Sequence, residues 1–406
     1  MFNEEQMLTQ VRPDFPGLTA LVDGREVTYL DSAATSLKPQ AMIDAVNEYY
    51  SGVSSNVHRG KSYALELVSN RYEQARYRTA ELISCSGNEV VFLRNTTEAN
   101  NVIAAGLNLS KNDTVLVCAD SHHSHLLPWE GRASVKWARL TENGALDLAH
   151  FYELLETEKP KVVAITHCSN VTGVYNPVKE MIAAAKAVGA ITVVDAAQSV
   201  PHRKVNVKVL DVDFLTFSAH KMLGPTGIGV LYGKAEQLEA LAPMNLGGGM
   251  VDWVDYEGFR LRKIPHRFEA GTPHISGAYG LGAAIDYLNE VGLDNIDAHD
   301  RHLSQVMMNL AQQRDYLQIV NPNTDLDRGA VVTFKIKSAD NLDDIARVLS
   351  DSYGIMCRTG HLCAQPYIDT TAAGAQVMRI SGYFYNAQEE VERFFDALDE
   401  LNGFMF

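Results

Sequence analysis

The chain has 406 residues, 46% hydrophobic and 21% charged, with a formal net charge of −15 at pH 7. That length exceeds one ordinary core and points to two domains, while the acidity argues against a nucleic-acid or anionic-membrane surface. No apolar run approaches the roughly 20 residues that span a bilayer, and the polar start MFNEEQMLTQVRPDF lacks the basic and apolar regions of a signal peptide. The five cysteines, Cys85, Cys118, Cys168, Cys357 and Cys363, are widely spaced and odd in number. They predict no disulfide framework and a reduced, cytoplasmic setting.

Residues 1–20 read as an N-terminal helical arm, stopped at Pro16 and Gly17 and expected to pack with a smaller C-terminal domain. A short strand around Tyr29 and Leu30 follows, then a helix from Gln40 to Tyr50, then the polar loop SSNVHRG with His58 and Arg59, then an amphipathic helix from about Ala64 to Ile83. Short apolar runs next alternate with polar turns and helices. Val90 to Leu93 leads into RNTTEANN, Thr114 to Val117 into SHHSHLLPW, and Lys161 to Ile165 into HCSNVTGV. Ile191 to Val194 leads into DAAQSVPH and Phe214 to Phe217 into SAHK, before Val230 to Tyr232. This alternation specifies a mainly parallel sheet with helical crossovers. Ligands in such sheets bind outside the carboxyl ends of the strands, where these polar clusters fall. After LGGG and FEAGTP comes a helix over about Gly277 to Asn289. The remainder, from about residue 296, reads as a smaller α+β unit. It has a helix to about Gln313, strands near Leu317–Val320, Ala330–Ile336 and Gln376–Ser381, and helices at Asp343–Ser352 and Glu389–Leu401. Domains are therefore expected at 21–295 and 296–406.

Lys221, in the stretch VDFLTFSAHKMLGPTGIGVLY, is the centre of the chemistry. A lysine in so apolar a setting has a depressed pKa and presents a free amine to a carbonyl, which Schiff-base formation requires. Taken alone it reads as a surface lysine before a Gly-Pro turn, so its neighbours decide. Asp195 ends a strand, where a carboxylate can pair with a pyridinium nitrogen. Thr96 and Thr97 sit at a strand-to-helix turn suited to phosphate, and Ser218 and His220 can donate hydrogen bonds to an anion. His122 can place its ring over a flat cofactor, and Asn170 and Gln198 can hydrogen-bond a phenolic oxygen. His122, His123 and His125 invite a zinc reading. Apart from Asp120 and Glu130, no carboxylate or cysteine lies at ligand spacing in that turn, and no metal is expected. Cys85, Cys118 and Cys168 lie in or beside apolar segments and read as small core residues; Cys363 lies in a polar, Gly-containing loop where a thiol can be exposed and reactive.

The order of YLDSAATSLKP, NVHRG, TTE, SNVTG, GPTGIGVLYG, LGGGM, RFEAGTP, RTGHLCAQP and the final R--YN segment resembles the group II cysteine desulfurases, fold-type I, class V pyridoxal-phosphate enzymes, over essentially the whole chain. The resemblance implies a large domain with a seven-stranded-type, mainly parallel sheet and a small domain carrying the nucleophile loop. It implies pyridoxal 5'-phosphate bonded to Lys221, its ring nitrogen on Asp195 and its face on His122. Asn170 and Gln198 would contact the phenolic side, and Thr96, Thr97, Ser218 and His220 the phosphate, with Thr272 arriving from the partner of a homodimer. Arg379 would hold the substrate carboxylate, His58 and Arg59 would lie near the shared site, and Cys363 would take the sulfur and pass it to an acceptor protein of the SufE type. L-Cysteine is the implied substrate; selenocysteine and cysteine sulfinate are the nearest alternatives, an aminotransferase or a catalytically silent scaffold the more distant ones. The chain departs from the family at Ser121, His125, Ala196, Ala219 and Leu362, which bears on substrate preference and tuning.

Overall fold

The computed structural model describes residues 4–22, 24–58, 60–322, 325–339 and 341–404. Seven strands form the larger sheet: β1 (Val90–Leu93), β2 (Thr114–Cys118), β3 (Ser134–Ala138), β4 (Val162–Thr166), β5 (Ile191–Asp195), β6 (Phe214–Ser218) and β7 (Gly229–Gly233). Their order is β1-β7-β6-β5-β4-β2-β3. β7 runs antiparallel to both neighbours and the other pairings are parallel. β1, β2, β4, β5 and β6 consequently end on the same side of the sheet.

The apolar runs are continuous because both faces are covered. Val115, Val117, Val162 and Ala164 point to one face, where they pack with Ile103, Trp129 and Phe268. Their neighbours Leu116, Cys118, Val163 and Ile165 point to the other, against Phe151, Met181 and the helix Ile275–Val291. Each such large side chain contributes on the order of 1.5–3 kcal/mol by leaving water. β3 is not evident from its residues. It is the sheet's edge, its residues Ser134 to Trp137 are only half-buried, and SVKWA carries a charge in mid-strand.

A second sheet, wholly antiparallel, follows the exposed hairpin of β8 (Val251–Val254) and β9 (Phe259–Leu261). Its strands β10 (Leu317–Ile319), β11 (Val331–Ile336), β12 (Arg358–Gly360) and β13 (Val377–Ser381) lie in the order β10-β11-β13-β12. Helices Leu293–Gln312, Leu342–Tyr353 and Gln388–Asn402 cover one face through Leu303, Met307, Leu349, Phe394 and Phe395. Near the other face Val377 packs with Leu362, Tyr367 and Val171, joining the Cys363 loop to the turn after β4. Helix Leu293–Gln312 starts three residues before the expected boundary, because Gly292, at φ 87°, ends the preceding helix in a conformation open to glycine. The first helix, Glu4–Val11, is anchored just beyond its end by Arg12, which donates to the Tyr385 carbonyl at 2.7 Å and to Glu390 at 3.0 Å. Phe15 packs on Tyr287, Phe384 and Tyr385. Among the described residues no helix is long and apolar enough to cross a membrane.

One buried ion network positions the FEAGTP loop. Arg76, 1% exposed, donates to both carboxylate oxygens of Glu269 at 2.6 and 2.9 Å, to Glu73 at 2.8 Å and to the Val90 carbonyl at 2.8 Å. Glu269 also accepts from the Phe92 amide at 2.8 Å, so helix, β1 and loop share one charge cluster. Burial alone would raise the Glu73 pKa, but His58 and Arg76 hold it down at about 2. Its stabilising contribution is therefore present above the ordinary carboxylate range and is lost as pH falls toward 2. Glu269→Ala strands Arg76 as a buried, half-paired cation and is expected to cost about 3–5 kcal/mol in urea unfolding at neutral pH. A loss below about 1 kcal/mol would show that water reaches the guanidinium.

Candidate active site

The carboxyl ends of β1, β2, β4, β5 and β6 and the Cys363 loop enclose a cavity of about 540 Å³. Thr96, Thr97, His122, Asn170, Asp195, Gln198, Ser218, His220, Lys221, Cys363 and Arg379 all line it, as does Cys168. Thr272 and His58 lie elsewhere in the chain, in a second cavity of about 240 Å³ that also holds Glu269 and His266. Arg59 falls outside the described residues. His58, Glu73 and His266 bring their ligating atoms within 4.8 Å of one another. Glu73 is already committed there, to His58 at 2.8 Å and to Arg76.

β6 ends at Ser218, and a single turn, Ala219–Lys221, delivers the lysine. The carbonyl of His220, immediately before it, accepts from the Lys38 ammonium at 2.8 Å, the Thr35 hydroxyl at 2.9 Å and the Ser36 amide at 3.0 Å. The ATSLKP segment thus fixes the lysine's backbone. Burial pushes the Lys221 pKa down to about 8, with Arg379 adding to the shift and Asp195 opposing it. Below that pH the amine is protonated and unreactive; above it the lone pair is free. In the cofactor-free protein, reductive methylation of Lys221 is accordingly expected to be half-maximal near pH 8, against about 10.4 for an exposed lysine. Peptide mapping across a pH series checks this, and a midpoint at the exposed value would place the amine in water.

Asp195 ends β5 and accepts from the Ala197 amide at 2.9 Å. Gln198 is tied to the Ala33 carbonyl at 2.7 Å. Ser218 accepts from the Thr96 amide at 2.9 Å and shares a hydroxyl contact with Thr96 at 2.9 Å; Thr97 meets Ser124 at 2.7 Å. These hydroxyls crowd the start of the helix Thr96–Gly106, where the helix dipole favours an anion. Gly229 lets β7 approach this turn: a Cβ there would lie 2.6 Å from the Asn95 Cα.

His122 caps the turn His123–Leu126, its Nδ1 accepting from the Ser124 amide at 3.1 Å, which leaves the ring proton on Nε2. Burial and the Lys221 charge push its pKa down to about 4, so it is neutral at pH 7. His220 is likewise held at about 4 by burial and the charges of Lys221 and Lys38. Asn170 donates to the Leu362 carbonyl at 2.8 Å, while its buried Oδ1 has no partner. Arg379, on β13, donates to the Asn170 carbonyl and to Asp31, each at 2.9 Å, and its Nε is buried and unpaired. Sequence reasoning assigns no role to Asp31 and Lys38, although both lie in the YLDSAATSLKP motif, because their partners Arg379 and His220 lie far away in the chain.

Cys363 is the exposed one of the five thiols. Cys168 is buried as expected, yet it borders the cavity, and burial pushes its thiol up to about 12. Burial does the same at Cys85 and Cys357. The family departures have local partners. Ser121 meets Thr166 at 3.0 Å, Leu362 is buried against Val171 and Tyr367, and Ala219 lies where a Cβ on Gly224 would touch it. His125 is fully buried beside the Val193 and Ile165 backbone, and burial lowers its pKa; Ala196 is a buried core residue.

Residues 28–394 match the family described as Aminotransferase class-V. A probable cysteine desulfurase of Halalkalibacterium halodurans is 41% identical, with 97% of this chain and 98% of the relative covered. A cysteine desulfurase of Haloferax volcanii is 39% identical, with 96% and 95% covered. The apo structure of a cysteine desulfurase from Thermococcus onnurineus has 36% identity and a TM-score of 0.90, with 97% of each chain covered. The Escherichia coli cysteine desulfurase CsdA, in an S-sulfonic acid form, has 32% identity and a TM-score of 0.88, with 100% of each chain covered. The chain belongs to the class-V aminotransferase family and, within it, to the cysteine desulfurases.

Proposed function

We infer that the cavity holds pyridoxal 5'-phosphate and that the protein converts L-cysteine to L-alanine, leaving the sulfur as a persulfide on Cys363. The observation that carries this reading is a depressed lysine amine, a strand-end carboxylate and an exposed thiol on the walls of one cavity. The polar groups also suit that cofactor. Hydroxyls gather at a helix start where phosphate binds, His122 offers a neutral ring, and the orphaned Asn170 Oδ1 and Arg379 Nε both await a polar partner. Thr96, Thr97, Ser218 and His220 would hold the phosphate, Asp195 the ring nitrogen, His122 the ring face, and Asn170 and Gln198 its oxygen edge. When bound, the cofactor supplies an electron sink for the pair released at the substrate α-carbon.

The chain's own groups divide the remaining work. Arg379, immobilised by Asp31 and Asn170, presents a buried guanidinium to the substrate carboxylate, where bidentate geometry is favoured. Lys221, with its amine half-deprotonated at about pH 8, takes the α-proton and can return it. His122 carries a proton on Nε2 at the cavity wall. Cys363 as thiolate attacks the substrate sulfur; the S–S bond forms as the C–S bond breaks, and the carbon is protonated to give alanine. Atoms balance between cysteine plus thiol and alanine plus persulfide.

The exposed Cys363 lets an acceptor protein of the SufE type take the sulfur. A homodimer would explain the separate cavity: a second copy seated there would meet Thr272 and His58 and would cover the exposed Trp253, Val254 and Phe259 of the hairpin. In this reading residues 21–295 bind the cofactor and 296–406 carry the nucleophile. A reduced cytoplasm suits a thiol that must stay free.

Product analysis with L-cysteine, cysteine sulfinate and selenocysteine in parallel tests the function. The expected result is alanine from cysteine, matched one for one by sulfane sulfur on the enzyme before acceptor is added. Turnover of the other two substrates without any from cysteine would reassign the protein as a lyase or desulfinase.

A further inference from the structure

Leu362 and Cys363 are consecutive residues in the left-handed region, with φ of 53° and 55°. Non-glycine side chains adopt that region reluctantly and seldom twice in succession, because Cβ crowds the following carbonyl. Such a backbone persists only where its surroundings hold it. The groups that hold this one come from the turns after β2 and β4. Asn170 donates to the Leu362 carbonyl at 2.8 Å. The His123 amide donates to the Cys363 carbonyl at 2.8 Å, and the Gln365 amide donates to His123 Nε2 at 3.0 Å. One histidine therefore grips the loop at the thiol residue and again two residues beyond it, through its own backbone and through its ring.

We propose that His123 is the positioning residue of the nucleophile: its ring nitrogen, acting as an acceptor, keeps the strained Cys363 backbone aimed at the cavity. This rests on Cys363 being the sulfur acceptor. The two adjacent histidines then hold opposite tautomers. His122 accepts at Nδ1 and keeps its proton on Nε2; His123 accepts at Nε2 and keeps its proton on Nδ1. Burial and the neighbouring His361 lower the His123 pKa, which preserves the neutral, accepting ring. His123 does not line the cavity, so its effect reaches the reaction through the loop.

The test compares His123→Met with His123→Gln in the holoenzyme. The two side chains have similar length, and of the two the amide oxygen is the effective acceptor for the Gln365 N–H. The methionine variant is expected to lose about ten- to hundredfold in kcat for alanine formation, the scale of one hydrogen bond left unmade. Its KM for L-cysteine and its cofactor absorbance should be unchanged, and iodoacetamide should alkylate Cys363 several times faster. The glutamine variant should return within about threefold of wild type on both measures. Equal kcat and alkylation rates in wild type and the methionine variant, or a glutamine variant as impaired as the methionine one, overturn the proposal. Should the methionine variant not fold, hydrogen exchange in the wild-type holoenzyme decides: a protected Gln365 amide supports the clamp and exchange at the unstructured rate overturns it. Failure of the nucleophile assignment is separate, because it appears as desulfuration retained by Cys363→Ala, whereas alkylation still reports how the loop is held.

Discussion

Lys221→Ala is expected to lower alanine production from L-cysteine by more than about 10³-fold, because under the proposed assignment one substitution removes both the amine that would bond the cofactor and the base at the α-carbon. The side chain has no substitute in the cavity. Lys38 is the nearest comparable amine in role, pushed down to about 7 by burial, but it is committed to the His220 carbonyl at 2.8 Å. His122, with its pKa at about 4, is a poor base for a carbon acid. The variant should fold, since Lys221 lies at the cavity wall and the turn before it is fixed through the His220 carbonyl. Retention of more than a trace of wild-type alanine production would remove Lys221 from the reaction.

Where each residue sits decides how legible it is in the sequence. The interior strands announce themselves because a parallel sheet covered on both faces needs uninterrupted apolar runs, and Val162–Thr166 and Phe214–Ser218 are buried throughout. The site motifs are legible for a related reason: each follows such a run, at the end where ligands collect. The edge strand Ser134–Ala138 escapes because an edge needs only partial burial. The hairpin Val251–Val254 and Phe259–Leu261 escapes because its apolar residues face outward, so no inward pattern marks it. Arg76 is unreadable as the centre of an ion network, since its partner Glu269 lies 193 positions away. Asp31 and the two-point grip of His123 on the Cys363 loop are likewise products of tertiary approach.

Cys363→Ala separates the desulfurase from its relatives in chemistry. When alanine is the product, cysteine's sulfur must depart as neutral sulfur while the bonding pair stays with carbon, so a thiolate in reach to accept it is indispensable. Selenium leaves more readily, and a sulfinate group departs as sulfur dioxide with the pair retained by carbon; neither departure needs the thiol. The expected result is loss of cysteine desulfuration by more than about 10³-fold, on the scale of removing a covalent nucleophile, with selenocysteine or sulfinate turnover kept within about tenfold. No other thiol can stand in. Cys357, six residues upstream, and Cys168, on the cavity wall, are each pushed up to about 12 by burial and stay protonated at neutral pH. Loss of all three activities with cofactor still bound would give Cys363 a structural role instead. Undiminished desulfuration would remove Cys363 from the reaction. Mass spectrometry of the wild-type enzyme after brief exposure to L-cysteine should find one added sulfur on the peptide that carries Cys363, and no mass increase on the peptide that carries Cys168.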